Sequence, residues 1–255
     1  GSKQMARITD EYVKMQKRFR PNIDASHRCV FRCPQCIRQK KSSQEQIRRS
    51  FDLEADQFQK ILDYYDYGLT FCGQISDPIY HPKFLELLKM CDGQGKAVRI
   101  ATVGSGKSDA WWDEAYSYGV GENAWYFGVD GIDEKSELYR IGSNFQDVWK
   151  RMKQGRDLGH AIVWQYIIFG YNEHEVDEAI EIAKQEDFSL LLVNTNRGFN
   201  PENPLLRKNV DFKLTSPDKK HIQERVKKEY WAHRTQALET WYKLPRKRAE
   251  RLGLV

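Results

Sequence analysis

Apolar residues recur along this chain with two alternating spacings. Leu53, Phe58, Ile61, Leu62 and Tyr65 fall on one side of a helix that Asp52 is placed to cap. Tyr67 to Cys72 is a short apolar run of strand type. Pro82 is placed to open a helix bearing Phe84, Leu85, Leu87, Leu88 and Met90. Strands are predicted over Ala97 to Thr102, Ala124 to Val129, Ala161 to Phe169 and Ser189 to Val193. Between them lie a helix over Asp109 to Tyr118 with Ser108 as its cap, one marked by Phe145, Val148, Trp149 and Met152, and one marked by Val176, Ala179, Ile180 and Ala183. Pro21 to Asp24 is long enough for a first short strand. Lys40 to Arg49 is polar without periodicity and reads as a loop.

Six strands alternating with five helices predict an α/β fold with a parallel sheet and helices on its outer side. Active sites of such sheets lie beyond the C-terminal ends of the strands. Residues 1–20 read as a basic, partly helical lead-in, 21–199 as the core and 200–255 as a helical, basic C-terminal extension. In that extension Asn200 to Pro204 is turn-rich, and Ser216-Pro217-Asp218 starts a helix through Trp231 toward Tyr242 that Pro245 ends.

Charge divides the chain differently. Residues 1–50 hold 13 Lys/Arg against 4 Asp/Glu, and residues 219–251 hold 11 against 4. Two basic flanks therefore bracket an acidic middle, a pattern that suits either a polyanion partner or solvated helix faces. No apolar run is long enough to span a membrane, and no secretory signal is read. The 5 cysteines, three of them clustered, argue for a reducing cytoplasm and against a disulfide framework.

Those three are Cys29, Cys33 and Cys36, at C-x3-C-x2-C spacing directly after the first strand. Zinc sites usually take four ligands, whereas three thiolates suit a [4Fe–4S] cluster with one iron open. A zinc ion or a simple core role stays open on the triplet alone. The spacing, with the strand and helix count, resembles the radical S-adenosylmethionine (radical SAM) superfamily. That resemblance implies a partial (β/α)6 TIM-like barrel. It also implies a [4Fe–4S] cluster on Cys29, Cys33 and Cys36, and S-adenosylmethionine (SAM) chelated to the open iron. The reduced cluster would then cleave SAM to a 5′-deoxyadenosyl radical that abstracts hydrogen. A reductant such as flavodoxin or ferredoxin is the implied partner.

Further stretches carry the resemblance. Leu69-Thr-Phe-Cys-Gly-Gln-Ile-Ser-Asp-Pro78, with His81-Pro82, is similar to the family's "GGEP…HP" segment, in which backbone binds the SAM amine. Here Cys72-Gly73 stands for the paired glycines and Asp77-Pro78 falls two residues late, a form nearer phage-type and SPASM-like members. Phe127-Gly-Val-Asp130-Gly131 and Tyr139-Arg140-Ile-Gly142 resemble the "S-x-DG…R…G" stretch, which implies Arg140 for the SAM carboxylate. Asp130, at a strand end, is a candidate for substrate or proton transfer, and equally for capping a turn. Thr102 and Ser105, Gln165, and Asn194 with Asn196 and Arg197 end the third, fifth and sixth strands or lie on them and are candidates for SAM or substrate contact. Gln35 replaces the aromatic residue often found before the third cysteine, and Phe31 is a possible substitute in packing adenine. No cysteine follows Cys91, so auxiliary clusters are not expected; Cys72 and Cys91 read as small core residues.

The resemblance to radical SAM proteins of tailed phages, with the basic flanks, points to a modified base in DNA as substrate, an amino-acid adduct being rearranged or modified in the host cytoplasm. The alternatives are a peptide or small metabolite as substrate and, from another class, a zinc-stabilised binding protein.

Overall fold

The computed structural model describes residues 2–194, 224–225, 233–236 and 239–255. Six parallel strands form in chain order: β1 (Asn22–Ile23), β2 (Gly68–Phe71), β3 (Ala97–Thr102), β4 (Ala124–Gly128), β5 (Ala161–Ile168) and β6 (Ser189–Asn194). Each pairs with the next, and β6 then pairs antiparallel with β8 (Glu239–Tyr242), which pairs with β7 (His233–Gln236). The sheet order β1-β2-β3-β4-β5-β6-β8-β7 does not return on itself. The parallel sheet is the one the strand and helix pattern predicts, and its open, partial TIM-like barrel is the one the resemblance implies.

Helices α1 (Ser2–Lys17), α2 (Lys41–Arg49), α3 (Ala55–Tyr64), α4 (Phe84–Gly93), α5 (Asp109–Ser117), α6 (Phe145–Asp157) and α7 (Val176–Glu186) precede or follow the strands. Ser108 caps α5 as expected, accepting from the Trp111 N–H at 3.2 Å. Alternate strand residues point to opposite faces. Trp125, Phe127, Trp164, Tyr166, Leu190 and Leu192 are fully buried against the helices. The intervening residues Val163 and Leu191, with Tyr126 and Val193 beside them, form the inner face. In register across that face run Ala101, Tyr126 and Val163, and then Gly128, Gln165, Leu191 and Trp241. Val163, Leu191 and Trp241 pack together as a plug. Space is left at either end of the inner face.

Four expectations are corrected. The polar stretch 41–49 is helix α2, not a loop. Its residues are good helix formers, and the Gln44 side chain donates to the Arg38 carbonyl at 2.7 Å. Asp52 does not cap α3; the cap is Glu54, whose N–H donates to Gln57 Oε1 at 3.0 Å. The helix foreseen from Ser216 lies mostly outside the described residues, and its last part is strand: 239–242 pairs with β6. Pro245 starts rather than ends a helix, α8 (Arg246–Arg251).

Candidate active site

The cysteine loop leaves β1 and crosses the C-terminal ends of the strands. Its course is tied at several points. Asp77 N–H donates to the Arg28 carbonyl at 2.9 Å and Arg32 N–H to the Ile141 carbonyl at 3.0 Å. Arg38 donates to the His27 carbonyl at 2.7 Å and also to the Ile75 carbonyl. Arg28 is held outward by Asp52, 2.8 Å away. His27 packs on Phe51 at 5.6 Å between ring centroids, away from the cavity lining.

Behind this loop lies a cavity of about 570 Å³. Cys29, Cys33 and Cys36 line it, all as free thiols, together with Gly73, Asp77, Thr102, Arg140, Gln165 and Asn194. Residues drawn from the ends of β2 to β6 are thus brought to one place. Phe31 also lines the cavity and meets Tyr80 edge-on at 5.7 Å.

Gly73 is needed as glycine. A Cβ there would sit 2.7 Å from Asp24 Oδ1 and closer still to the Ser76 carbonyl. Asp24 organises this loop by accepting from the Gln74 and Ile75 N–H groups at 3.1 and 3.2 Å, and from the Ser76 hydroxyl. Asp77 accepts from Thr102 Oγ1 at 2.7 Å and the Val103 N–H at 2.8 Å, and caps the turn Pro78–Tyr80 through the Ile79 N–H at 3.3 Å. Burial lifts its carboxyl to about 6, against the pull of those hydrogen bonds.

Asp130 is fully buried and does not line the cavity. Its Oδ2 accepts from Arg140 Nε at 2.7 Å and its Oδ1 from the Ile167 N–H at 2.9 Å. Asn172 Nδ2 and the Tyr171 hydroxyl hold its carbonyl at 2.9 and 2.8 Å. The carboxylate foreseen as catalytic is therefore committed to Arg140 and the end of β5. Arg140 does face the cavity, and its guanidinium lies so near Gly128 that a Cβ there would be 2.9 Å from Cζ. Burial alone would lower its pKa, but Asp130 and then Cys33 more than offset that and hold it above the usual arginine range. Ser105 also lies off the cavity; its hydroxyl accepts from the Asn144 N–H at 3.0 Å.

Cys72 lines the cavity instead of packing in the core, while Cys91 is core as expected. Asp24, Arg38 and Asn172 are structural residues of the site that carry no sequence motif; only the place of Asp24 at a strand end signals it. Asn196 and Arg197 lie outside the described residues.

The donor set suits an iron–sulfur cluster with a ligand beside it. Burial pushes the Cys29 thiol up to about 12 and Cys33 up to about 11. A bound cation reverses that preference and takes the thiolates. Asn194 lines the cavity, and its Oδ1 is buried without a hydrogen-bond partner among the described residues. Among the described residues no three His, Cys, Asp or Glu side chains converge where a single metal ion could sit. Zinc would need its ligands converging on one ion, with sulfur at about 2.3 Å. A cubane distributes its thiolates over separate irons.

Comparison with known proteins agrees with this geometry. The family model of the radical SAM superfamily matches residues 23–183, more than half of the chain. The chain belongs to the radical SAM superfamily, and with the family come its cofactors, a [4Fe–4S] cluster and SAM. A curated relative in Pyrococcus furiosus, the tungsten-containing aldehyde ferredoxin oxidoreductase cofactor-modifying protein, is 27% identical over 124 residues, 47% of this chain and 33% of that protein. Among solved structures, Streptococcus suis SuiB bound to S-adenosylmethionine superposes with a TM-score of 0.63 at 14% identity, covering 88% of this chain and 51% of SuiB. SuiB bound to its precursor peptide SuiA gives the same score over 49% of that chain. Methylornithine synthase (PylB) superposes with a TM-score of 0.51 at 15% identity, covering 74% of this chain and 60% of PylB. The chain thus spans about a third of the curated relative and about half of SuiB. No helix among the described residues is long and apolar enough to cross a membrane.

Proposed function

We propose that this chain carries out radical SAM chemistry in the cavity at the C-terminal ends of its strands, on a peptide or a small metabolite. The observation that carries the reading is the meeting of three free thiols from one loop with Gly73 on the wall of a single cavity. When bound, the cluster and SAM supply one-electron cleavage of SAM and the radical that takes a hydrogen atom from the substrate. Cys29, Cys33 and Cys36 are the residues to hold the cluster. Gly73, lacking a side chain, lets the loop backbone come close to a bound amine. Arg140, fixed by Asp130, offers a planar donor to a carboxylate. Gln165 and Asn194, both on the cavity wall, are our candidates for contact with ribose or substrate hydroxyls. Asp130 is then a positioning residue, and Asp77 and Thr102 brace the loops after β2 and β3.

The finer expectation, an amino-acid adduct on a DNA base, rested on the phage-type resemblance and the two basic flanks. The described part of the C-terminal flank, Arg246 to Arg251, stands at the N-terminal ends of the strands with Ala97, Ala124 and Ala161. Eight-residue β5 separates the two ends by roughly 25 Å at about 3.3 Å per residue. The described part of that flank therefore gives no support to a base in the cysteine cavity. The names of the relatives concern a precursor peptide, a cofactor and methylornithine. Free thiols here fit a reducing compartment such as cytoplasm.

Anaerobic reconstitution, followed by SAM turnover with short peptides, small metabolites and modified-base DNA side by side, tests the reading. Mass spectrometry should find products from peptides or metabolites. A product from DNA alone would restore the nucleic-acid substrate. The ratio of 5′-deoxyadenosine to product separates an isomerisation, in which SAM is regenerated, from a net oxidation that consumes it.

A further inference from the structure

The opposite end of the inner face holds a second, larger cavity of about 1100 Å³, bounded by the starts of β3 to β6, by Arg20 and by α8. Eight Lys or Arg side chains line it. Four are matched by carboxylates: Lys243 by Asp187, Lys247 by Glu122, Arg246 by Glu250 at 2.8 Å and Arg156 by Glu186 at 2.6 Å. The other four are Arg20, Arg99, Arg248 and Arg251, and no carboxylate pairs with them among the described residues. They come from three elements: the approach to β1, the inner face of β3, and α8. Arg20 is pinned by donating to the Ala97 carbonyl at 3.0 Å, and Arg248 lies over the Trp241 ring at 4.9 Å. Burial, then the charges of Arg99 and Arg251, push Arg20 down to about 10. Arg99 is lowered too, by burial first, with Arg251 and Arg248 adding to it.

Three half-buried arginines with a fourth exposed beside them are a costly group of like charges for a fold to keep. Guanidinium forks are suited to phosphate oxygens. We propose that this cavity is a binding site for a small diphosphate-bearing anion, separate from the cysteine cavity, with Arg20, Arg99, Arg248 and Arg251 as its ligands. The room beyond the four guanidiniums admits an ester substituent on the diphosphate.

Calorimetric titration of the full chain with inorganic pyrophosphate at about 0.15 M salt tests this, with a nucleoside diphosphate as the second arm. Saturable one-site binding is expected, weakened at least tenfold in Arg99→Gln and in Arg251→Gln and unchanged in Arg48→Gln and Cys33→Ala. Tighter binding of the nucleoside diphosphate would identify an ester as occupant, and equal binding the free anion. Without ligand, Arg99→Gln should melt higher than wild type, because it relieves repulsion. Should Arg99→Gln fail to fold, the exposed Arg251→Gln decides alone. Absence of saturable binding would overturn the proposal, as would equal weakening by Arg48→Gln, which signals general charge attraction.

Discussion

The two ends of the inner face treat charge in opposite ways. At the cysteine end, Arg140 is joined to Asp130, Asp24 to three donors of the loop after β2, and Asp77 to three more donors. At the other end, beside four matched pairs, four arginines have no carboxylate partner among the described residues. The first end is organised before any ligand arrives; the second is completed only by an anion. A buried, matched network holds groups in place for chemistry, whereas an unmatched cluster stores affinity for the missing partner.

The largest expected effect removes the chemistry of the matched end. Cys33→Ala should abolish 5′-deoxyadenosine formation in the reconstituted protein while the circular dichroism stays that of the wild type. Retained cleavage would end the cluster assignment. Next comes the matching itself. Arg140→Met leaves Asp130 buried and unpaired, which should cost about 3–5 kcal/mol in denaturant unfolding. With Arg99→Gln at the other end, the two substitutions should move stability in opposite directions; movement in the same direction would erase the contrast.

Asp77 sharpens it by pH. Its carboxyl is raised from 3.8 to about 6 by burial, so the folded chain holds that proton more tightly than the unfolded chain does. Folding is therefore favoured below about pH 4, and the advantage is lost as pH rises toward 6. The stability difference between wild type and Asp77→Asn should fall across that window by up to about 3 kcal/mol. A flat difference would mean that the hydrogen bonds to Asp77 cancel its burial.

Gly73→Ala should weaken SAM binding at least tenfold, about 1.4 kcal/mol, because the new Cβ displaces the loop held by Asp24; equilibrium dialysis with labelled SAM measures it. The smallest effect belongs to the exposed pair at the far rim. Lys247→Ala, which removes the partner of Glu122, should change stability by less than about 1 kcal/mol.

Much of this was legible in the chain itself, because inner and outer strand positions alternate so regularly. Ala97–Thr102 coincides with its predicted strand, and the stripe from Val176 to Ala183 marks α7. The cysteine spacing located the cavity wall. What escaped had other causes. Helix α2 has one apolar residue, Ile47, so periodicity is silent where propensity and a tie to Arg38 decide. The residues of β8 compose a plausible helix end, and only pairing with β6, more than 40 residues earlier in sequence, makes them strand. Cys72 reads as a small core residue from its type, but it follows the outward Phe71 and so lines the cavity. Asp130 shares the inward parity of Gly128, and only the folded chain's Arg140 and Ile167 N–H take its carboxylate away from the cavity.

The antiparallel pair beyond β6 has a bearing on how the chain survives its own folding. A parallel sheet built from Val, Ile and Leu, left with a bare outer strand, is a template on which further molecules can add. Glu239–Tyr242 occupies that position on β6, and the outermost strand becomes the four-residue β7, whose pairing slips between His233 and Gln236. A short, irregular border is a poor seed, so a truncation upstream of residue 239 should raise the protein's tendency to form fibrous aggregates, read by thioflavin fluorescence against the full chain.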